Sequence, residues 1–349
     1  MSGTLSPLRV WWIKITNFEF WPFDFFYFPV KFYYLWLAWK SRSLFFFTAS
    51  NPNIEFGGML GERKSEVFKL IPARYIPKTL LFSQEATLKE IRNSLKDQRI
   101  EFPFIAKPDI GERGWMVQKI HDDDELDQYF NQIKVPFLIQ EYVDYPVELG
   151  VFYIKIPGQK GRVTSVVRKG LLHVLGDGKH SVQQLLERIP RARLQVNFSD
   201  THLQEKLTHI PKRNESFLVE EIGNHCRGTI FFNDSNQIDE ELTATFQKIS
   251  DEILEFYFGR FDIRCQSMGD LKQGKNFKIL ELNGAGSEPG HIYQPGYPLL
   301  QAYKDVLWHL KQLYIVSKAN NEKGVPYWDF AKGWKKWKEI LAHNKTKQA

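Results

Sequence analysis

The sequence predicts an α+β fold, on three observations. Runs of strand-like and helix-like residues mix without a strict strand–helix–strand rhythm, which disfavours a doubly wound parallel sheet. The 349 residues are enough for two or three units with a sizeable core. Charged residues make up 25% and mean hydropathy is −0.38, which fits a folded soluble body.

The elements follow in order. Roughly half of the residues from Trp11 to Phe47 are Phe, Trp or Tyr. Pro22 and Pro29 should divide this block into two short helical pieces, the second running over Val30–Trp39. Asn51–Gly61 is rich in turn residues and reads as a loop. Lys64–Leu70 looks helical, and Ile76–Phe82 a strand entry. Glu85–Gln98 carries Leu88, Ile91 and Leu95 at helical spacing. A strand at Phe104–Ala106, a helix at Asp122–Ile133 and a strand at Phe137–Tyr142 come next. Leu149–Ile156 and Val163–Arg168 flank a Pro157-Gly158 turn, as in an antiparallel pair. Ser181 should cap a helix over Ser181–Arg188. Glu240–Tyr257 reads as one long helix, Met268–Asn276 as a hairpin tip, and Phe277–Leu282 as a strand. Phe330, Trp334, Trp337 and Leu341 share one face of a lysine-rich terminal helix.

A net charge of +6 suits an anionic partner: nucleotide, nucleic acid or membrane surface. Cys226 and Cys265 form neither a disulfide framework nor a metal-binding spacing, as expected in a reducing cytoplasm. The aromatic block is not a span, because Lys14, Glu19, Asp24 and Lys31 interrupt it and no uncharged run approaches ~20 residues. Trp and Tyr favour the membrane–water boundary, so residues 10–47 and 328–341 are expected to make peripheral membrane contact. The bland alternatives are an aromatic core or dimer interface for the first, and a packed helix with a solvated lysine face for the second.

Chemistry-bearing residues fall at the ends of the apolar runs. Lys107 leaves a strand end, and Gly111 and Gly114 follow in a loop that would let backbone N–H groups approach phosphate. It is not a Walker loop. Gln140-Glu141 ends the next strand, and Glu148 comes seven residues after Glu141. Glu141 and Val143 could serve an adenine, and Glu148 a ribose; the plain reading is two exposed glutamates at strand ends. Asp262, Glu281 and Asn283 are hard oxygen ligands of the kind Mg²⁺ takes, with Arg260 a fixed charge beside them.

Taken in this order, Lys107 with its glycine loop, Glu141 with Glu148, Arg260-x-Asp262 and Glu281-x-Asn283 resemble the ATP-grasp superfamily. Within it they are most similar to the D-alanine–D-alanine ligase group of carboxylate–amine ligases. The resemblance covers about residues 64–310. It implies two α+β subdomains gripping ATP, here behind an aromatic helical N-terminal extension. It implies that Lys107 binds the α- and β-phosphates, with Lys64 as a second nucleotide lysine. Gly111 and Gly114 would cover the phosphates, Glu141 and Val143 hold adenine, and Glu148 the ribose. Asp262, Glu281 and Asn283 would carry two Mg²⁺ ions, with Mn²⁺ as a substitute. Arg260 would stabilise charge on the acyl-phosphate and the tetrahedral intermediate.

Gly223–Gly228 sits where similar ligases place an Asn-x-x-Arg-Gly element, so Arg227 would neutralise the transferring phosphoryl group. The small-residue loop Asn283–Gly290 resembles the one that holds the acceptor, with Tyr293, Gln294 and Tyr297 beside it. The expected organisation is an interfacial segment (1–48), a reduced N-terminal region (49–100), an ATP-grasp domain (101–320) and a basic amphipathic helix (321–349).

The implied function is amide formation from a carboxylate and an amine through an acyl-phosphate, on a membrane-associated or lipid-linked substrate. The expected location is the cytoplasm, at the inner face of the membrane. The rival readings are an ATP-grasp kinase acting on a hydroxyl and a non-catalytic nucleotide-binding scaffold. Nucleic acid is not an expected partner.

Overall fold

The computed structural model describes residues 6–112, 114–198 and 203–346. Arg113 of the expected glycine loop, and residues 1–5 and 347–349 of the expected end segments, lie outside them. The chain adopts the expected α+β class. It opens with helices α1 (Pro7–Thr16), α2 (Phe23–Ser41) and α3 (Lys64–Lys69). Then come β1 (Thr79–Phe82), α4 (Leu88–Gln98), β2 (Phe104–Pro108), β3 (Gln118–Ile120), α5 (Asp123–Gln132) and β4 (Phe137–Glu141). The centre holds β5 (Val147–Ile154), β6 (Arg162–Gly170), β7 (His173–Leu175), α6 (Val182–Leu186), α7 (Pro190–Gln195), α8 (Gln204–Thr208), β8 (Ser216–Leu218) and β9 (Ile230–Asn233). The last part is α9 (Glu240–Glu252), β10 (Phe258–Cys265), α10 (Met268–Lys272), β11 (Phe277–Asn283), α11 (Leu299–Glu322) and α12 (Phe330–Thr346).

Two antiparallel sheets organise these elements. The first runs β1-β4-β2-β3, and α4 and α5 pack on it through Ile91, Leu95, Leu126 and Tyr129. Because β1 pairs with β4, residues 79–82 belong to the same sheet as β2, β3 and β4. The second runs β11-β10-β5-β6-β9. Side chains two apart share a face of a strand, except across the bulge that separates Ile279 from Glu281 on β11. On one face Leu149, Val151, Phe261, Ile263 and Ile279 meet Leu242, Phe246 and Ile249 of α9. The other face carries Glu148, Arg260, Asp262, Arg264, Glu281 and Asn283, all of which line a cleft between the two sheets. A smaller unit over residues 172–219 has its own core around Val182, Leu186 and Leu207, and a two-stranded β7–β8 sheet.

The local caps explain several boundaries. Thr87 and Ser181 each form a capping box, and Asp122 and Asp239 accept from the N–H three residues on. Three expectations need correction. Pro29 does not divide α2: it is the seventh residue of the helix, where lateral packing by Phe26 and Val30 on Ala302 and Val306 holds the backbone helical. The helix at Glu240 stops at Glu252, not Tyr257, because Ser250 Oγ donates to Phe256 O and Phe258 already pairs with Ile154. Met268–Asn276 is not a bare tip, since Ser267 caps the short helix α10.

The aromatic block divides by role. Phe45, Phe46 and Phe47 are core, packed with Phe56, Leu313 and Val316. Helix α2 buries Phe26, Val30, Leu37 and Ala38, whereas Phe25, Phe28, Phe32, Leu35, Trp36 and Trp39 are exposed along its other side. Leu8, Trp11, Trp12 and Ile15 of α1 are exposed as well. On α12, Ile340 and Trp337 pack inward, while Phe330, Trp334 and Leu341 face out. No described helix is long and apolar enough to cross a membrane.

Candidate functional site

The cleft has a volume of about 500 Å³ and receives walls from four parts of the chain. The first sheet contributes Lys107, Gln140, Glu141 and the glycine loop. The second contributes Glu148, Lys169, Arg260, Asp262, Glu281 and Asn283. The segment that follows the small unit adds residues 221–226, and the N-terminal segment adds Phe18, Glu19, Trp21, Phe23 and Tyr27.

Strand register assembles the acidic centre. Asp262 stands opposite Glu281 across β10 and β11, and Arg260 opposite Asn283, so all four project from one face. Arg260 Nε donates to Asp262 Oδ1 at 2.6 Å and its Nη2 to Oδ2 at 3.1 Å. Lys169 Nζ bridges Asp262 Oδ2 (3.4 Å) and Glu148 Oε1 (3.0 Å). Burial pushes the Asp262 carboxyl up, but Arg260 and Lys169 outweigh it and hold it down at about 2. Burial likewise pushes Glu281 up, and Lys64, Lys107 and Arg260 together bring it below the ordinary carboxylate value.

The lysines converge on Glu281. Lys64 Nζ is 3.4 Å from Glu281 Oε1 and donates to Gly111 O at 2.7 Å. Ser65 explains how α3 is seated there: its N–H and hydroxyl both donate to the buried Asp109 carboxylate. Lys107 is 6% exposed and donates to Gln140 Oε1 (2.9 Å) and Leu280 O (3.1 Å). Burial drives its pKa from 10.5 down to about 8, against the pull of Glu281 and Asp262. A buried cation with two neutral acceptors is short of negative charge, a deficit that a phosphate group would make good.

The glycine loop is pinned to the segment that follows the small unit. Arg227 Nη2 donates to Gly114 O at 2.8 Å and Nη1 to Val117 O at 3.2 Å. Gly114 has φ +73°, and a Cβ there would lie 2.8 Å from Asn224 Nδ2, so only glycine lets the two loops meet. Arg227 thus serves the loop in this form, with Glu220 Oε2 at 3.7 Å. Glu141 lines the cleft, but its carboxylate accepts from the Lys78 N–H (3.2 Å) and its own N–H donates to Lys78 O (2.8 Å). Arg264 Nη1 donates to Val143 O at 2.9 Å, and Arg264 Nε to Glu148 Oε2 at 3.1 Å. Glu148 is therefore held between two cations rather than exposed.

The twelve site residues named from the sequence all lie in or directly against this one cleft. Sequence reasoning missed Lys169 and Arg264, which neutralise Glu148, and the N-terminal residues Glu19 and Tyr27. The alternation of Arg260, Asp262 and Arg264 along β10 could have found Arg264. Nothing local marks Glu19 or Tyr27, since their partners are remote in sequence: Glu19 pairs with Arg191, and Tyr27 with Glu288.

The donor set suits a hard cation. Asp262 stands opposite Glu281 and its charge pushes the Glu281 pKa up, a repulsion that a divalent ion relieves. The Nδ2 of Asn283 is buried without a hydrogen-bond partner. The carboxamide turned over would put its oxygen at that place. Among the described residues no group of three or more His, Cys, Asp or Glu is arranged to hold a metal, so the set is two carboxylates and one amide.

No protein-family model matches the chain. No curated protein matches it either. Solved structures do. A bifunctional glutathione synthetase from Pasteurella multocida is 15% identical at a TM-score of 0.37, over 70% of this chain and 35% of that one. A D-alanine–D-alanine ligase from Bacillus anthracis is 15% identical at 0.41, over 75% and 69%. The VanG D-Ala:D-Ser ligase from Enterococcus faecalis is 14% identical at 0.42, over 74% and 62%. The chain thus spans about a third of the glutathione synthetase. Likenesses this loose carry no weight for chemistry, which has to come from the side chains in the cleft.

Proposed function

We propose that this chain is an ATP-grasp carboxylate–amine ligase, ATP- and Mg²⁺-dependent, forming an amide through an acyl-phosphate. The observation that carries the reading is Glu281, paired across strands with Asp262 and flanked by Lys64 and Lys107. Triphosphate, a divalent ion and their counter-charges fit one another in such a place.

The chain's own groups divide the work. Lys107 and Lys64 hold phosphate oxygens, and main-chain N–H groups of Gly111 and Gly114 close over them. The main chain at Glu141 and Val143 takes adenine, and Glu148 the ribose. Asp262, Glu281 and Asn283 would hold Mg²⁺, or Mn²⁺ in its place, which supplies Lewis-acid neutralisation of the phosphates. The substrate carboxylate oxygen attacks the γ-phosphorus, and the bond to ADP breaks. The amine nitrogen then attacks the acyl carbon, phosphate leaves, and the amine proton passes to solvent. Arg260 stands where oxyanion charge develops, and Arg227 keeps the glycine loop over the phosphoryl group.

The finer part of the proposal concerns the substrate. The outer faces of α1 and α2 are rich in Trp and Phe, with Arg9, Lys14, Lys31, Lys40 and Arg42 nearby in sequence. That composition suits the headgroup layer of an anionic membrane, so the carboxylate or the amine is membrane-associated or lipid-linked, and the chain is peripheral at a cytoplasmic membrane face.

The test is an ADP-release screen over carboxylate–amine pairs, with and without vesicles, followed by product analysis. An amide plus ADP is the expected product. A phosphoester plus ADP would replace the ligase by a kinase, and the absence of any ATP binding would remove both.

A further inference from the structure

We infer that the acceptor end of the cleft is built for an amphiphilic primary amine, its nitrogen held by Glu288 and its hydrocarbon part by the N-terminal aromatic segment. The inference rests on the ligase reading for its place in the reaction, but not for its binding chemistry.

Glu288 lies just past the metal-ligand loop, and Arg260 Nη1 reaches its main-chain oxygen at 3.5 Å. Its Oε1 accepts from two tyrosine hydroxyls, Tyr293 at 2.8 Å and Tyr27. Burial and the Glu288 charge push the Tyr27 phenol well above its ordinary value, so Tyr27 stays a donor. Among the described residues Oε2 accepts no hydrogen bond. The carboxylate is thus oriented by two fixed donors and presents its second oxygen to the cavity that it lines. A primary ammonium satisfies that oxygen with a charge-assisted hydrogen bond. An alcohol brings a hydrogen bond without the charge.

The wall beside this carboxylate comes from the N-terminal segment and is aromatic apart from Glu19, whose charge is met by Arg191. Phe18, Trp21 and Phe23 line the same cavity as Tyr27 and Glu288. Tyr27 is in α2, so one helix supplies both the donor that fixes Glu288 and, on its outer side, the exposed aromatic face. A hydrocarbon tail leaving the amine site therefore has buried aromatic surface inside the cleft and exposed aromatic surface on the outer side of the same helix. A short polar amine would leave these rings wet, which loses the apolar burial they offer.

Calorimetric titration tests this on the full chain loaded with Mg²⁺ and a non-hydrolysable ATP analogue. The probes are octylamine, ethylamine and octan-1-ol. Octylamine should bind at least about tenfold more tightly than either of the others. Glu288→Gln should weaken octylamine about tenfold and leave octan-1-ol unchanged. Trp21→Ala should weaken octylamine and octan-1-ol alike and leave ethylamine unmoved. Should Glu288→Gln fail to fold, Tyr27→Phe and Tyr293→Phe take its place, each expected to weaken octylamine selectively. Equal binding of octylamine and octan-1-ol to the parent chain overturns the inference, as does undiminished octylamine binding in the variants. The analogue's own titration is scored separately: its failure sinks the ligase reading, while the amine result stands or falls by itself.

Discussion

Lys107 carries the most demanding consequence of this site. Its ammonium is buried at 6% exposure against Gln140 Oε1 and Leu280 O, and burial lowers its pKa to about 8. A phosphate oxygen delivered beside it restores the charged form and lifts the pKa back above ~10. Nucleotide binding must then take up a proton. At pH 8.5 a group of pKa about 8 is roughly one-quarter protonated, so binding takes up about three-quarters of a proton. By the same linkage, apparent affinity falls about tenfold between pH 7 and pH 9. Calorimetric titration of the ATP analogue in two buffers of different ionisation enthalpy reads the uptake directly. Stability supplies the second arm. The unfolded lysine keeps its proton to about 10.5 while the folded one loses it at about 8, so unfolding binds a proton between those values and stability rises with pH across that window. The penalty below pH 8 is about 3 kcal/mol. Lys107→Met should therefore melt at or above the parent at pH 7 while losing nucleotide affinity. Proton uptake near zero at pH 8.5, or a large drop in the melting temperature of Lys107→Met, refutes the reasoning.

Other consequences are more local. Asp262→Asn removes the counter-charge of Arg260 and Lys169 and a metal ligand at once; turnover should fall about 10²–10³-fold, and Mg²⁺ titration followed by nucleotide fluorescence should show weaker coupling. Asn51 is fully buried and makes four hydrogen bonds, from Nδ2 to Gly57 O and Phe258 O and to Oδ1 from Tyr257 and Phe258 N–H. Asn51→Ala should cost about 3 kcal/mol in chemical denaturation, since it orphans buried backbone groups. Gly284→Ala would place a Cβ 2.5 Å from Gly57 O and 2.8 Å from Gly58 Cα; a destabilisation of about 1–3 kcal/mol is expected by thermal melting. Replacing Phe28, Phe32, Trp36 and Trp39 by Ser, all on the exposed side of α2, should abolish co-sedimentation with phosphatidylglycerol vesicles and leave nucleotide binding intact. Unchanged sedimentation would remove the membrane part of the proposal.

Much of this fold is legible because local rules and tertiary packing agree. Thr87 with Glu90 and Ser181 with Gln184 announce their helices, and the Pro157-Gly158 turn between two apolar runs announces the β5–β6 pair. Pro29 was misleading because lateral packing on α11 outweighs a lost helical hydrogen bond. Phe45, Phe46 and Phe47 belong to the same aromatic block as Trp36 and Trp39, yet the three phenylalanines are core and the two tryptophans surface. That distinction depends on which way the chain turns after Ser41, where Arg42 takes a left-handed conformation.

By itself the sequence determined the chemical inventory: lysines at strand ends, a carboxylate pair with a nearby amide, a glycine loop and an aromatic leader. These are readable because each follows from residue type and spacing along one element. Tertiary structure alone decided their partners. Glu148 is locked between Lys169 and Arg264, Arg227 grips the glycine loop, and Tyr27 crosses from the N-terminal helix to Glu288. The physical reason is that electrostatic and hydrogen-bond energies depend on separation in space, and register and helix packing bring together groups as far apart in sequence as Tyr27 and Glu288.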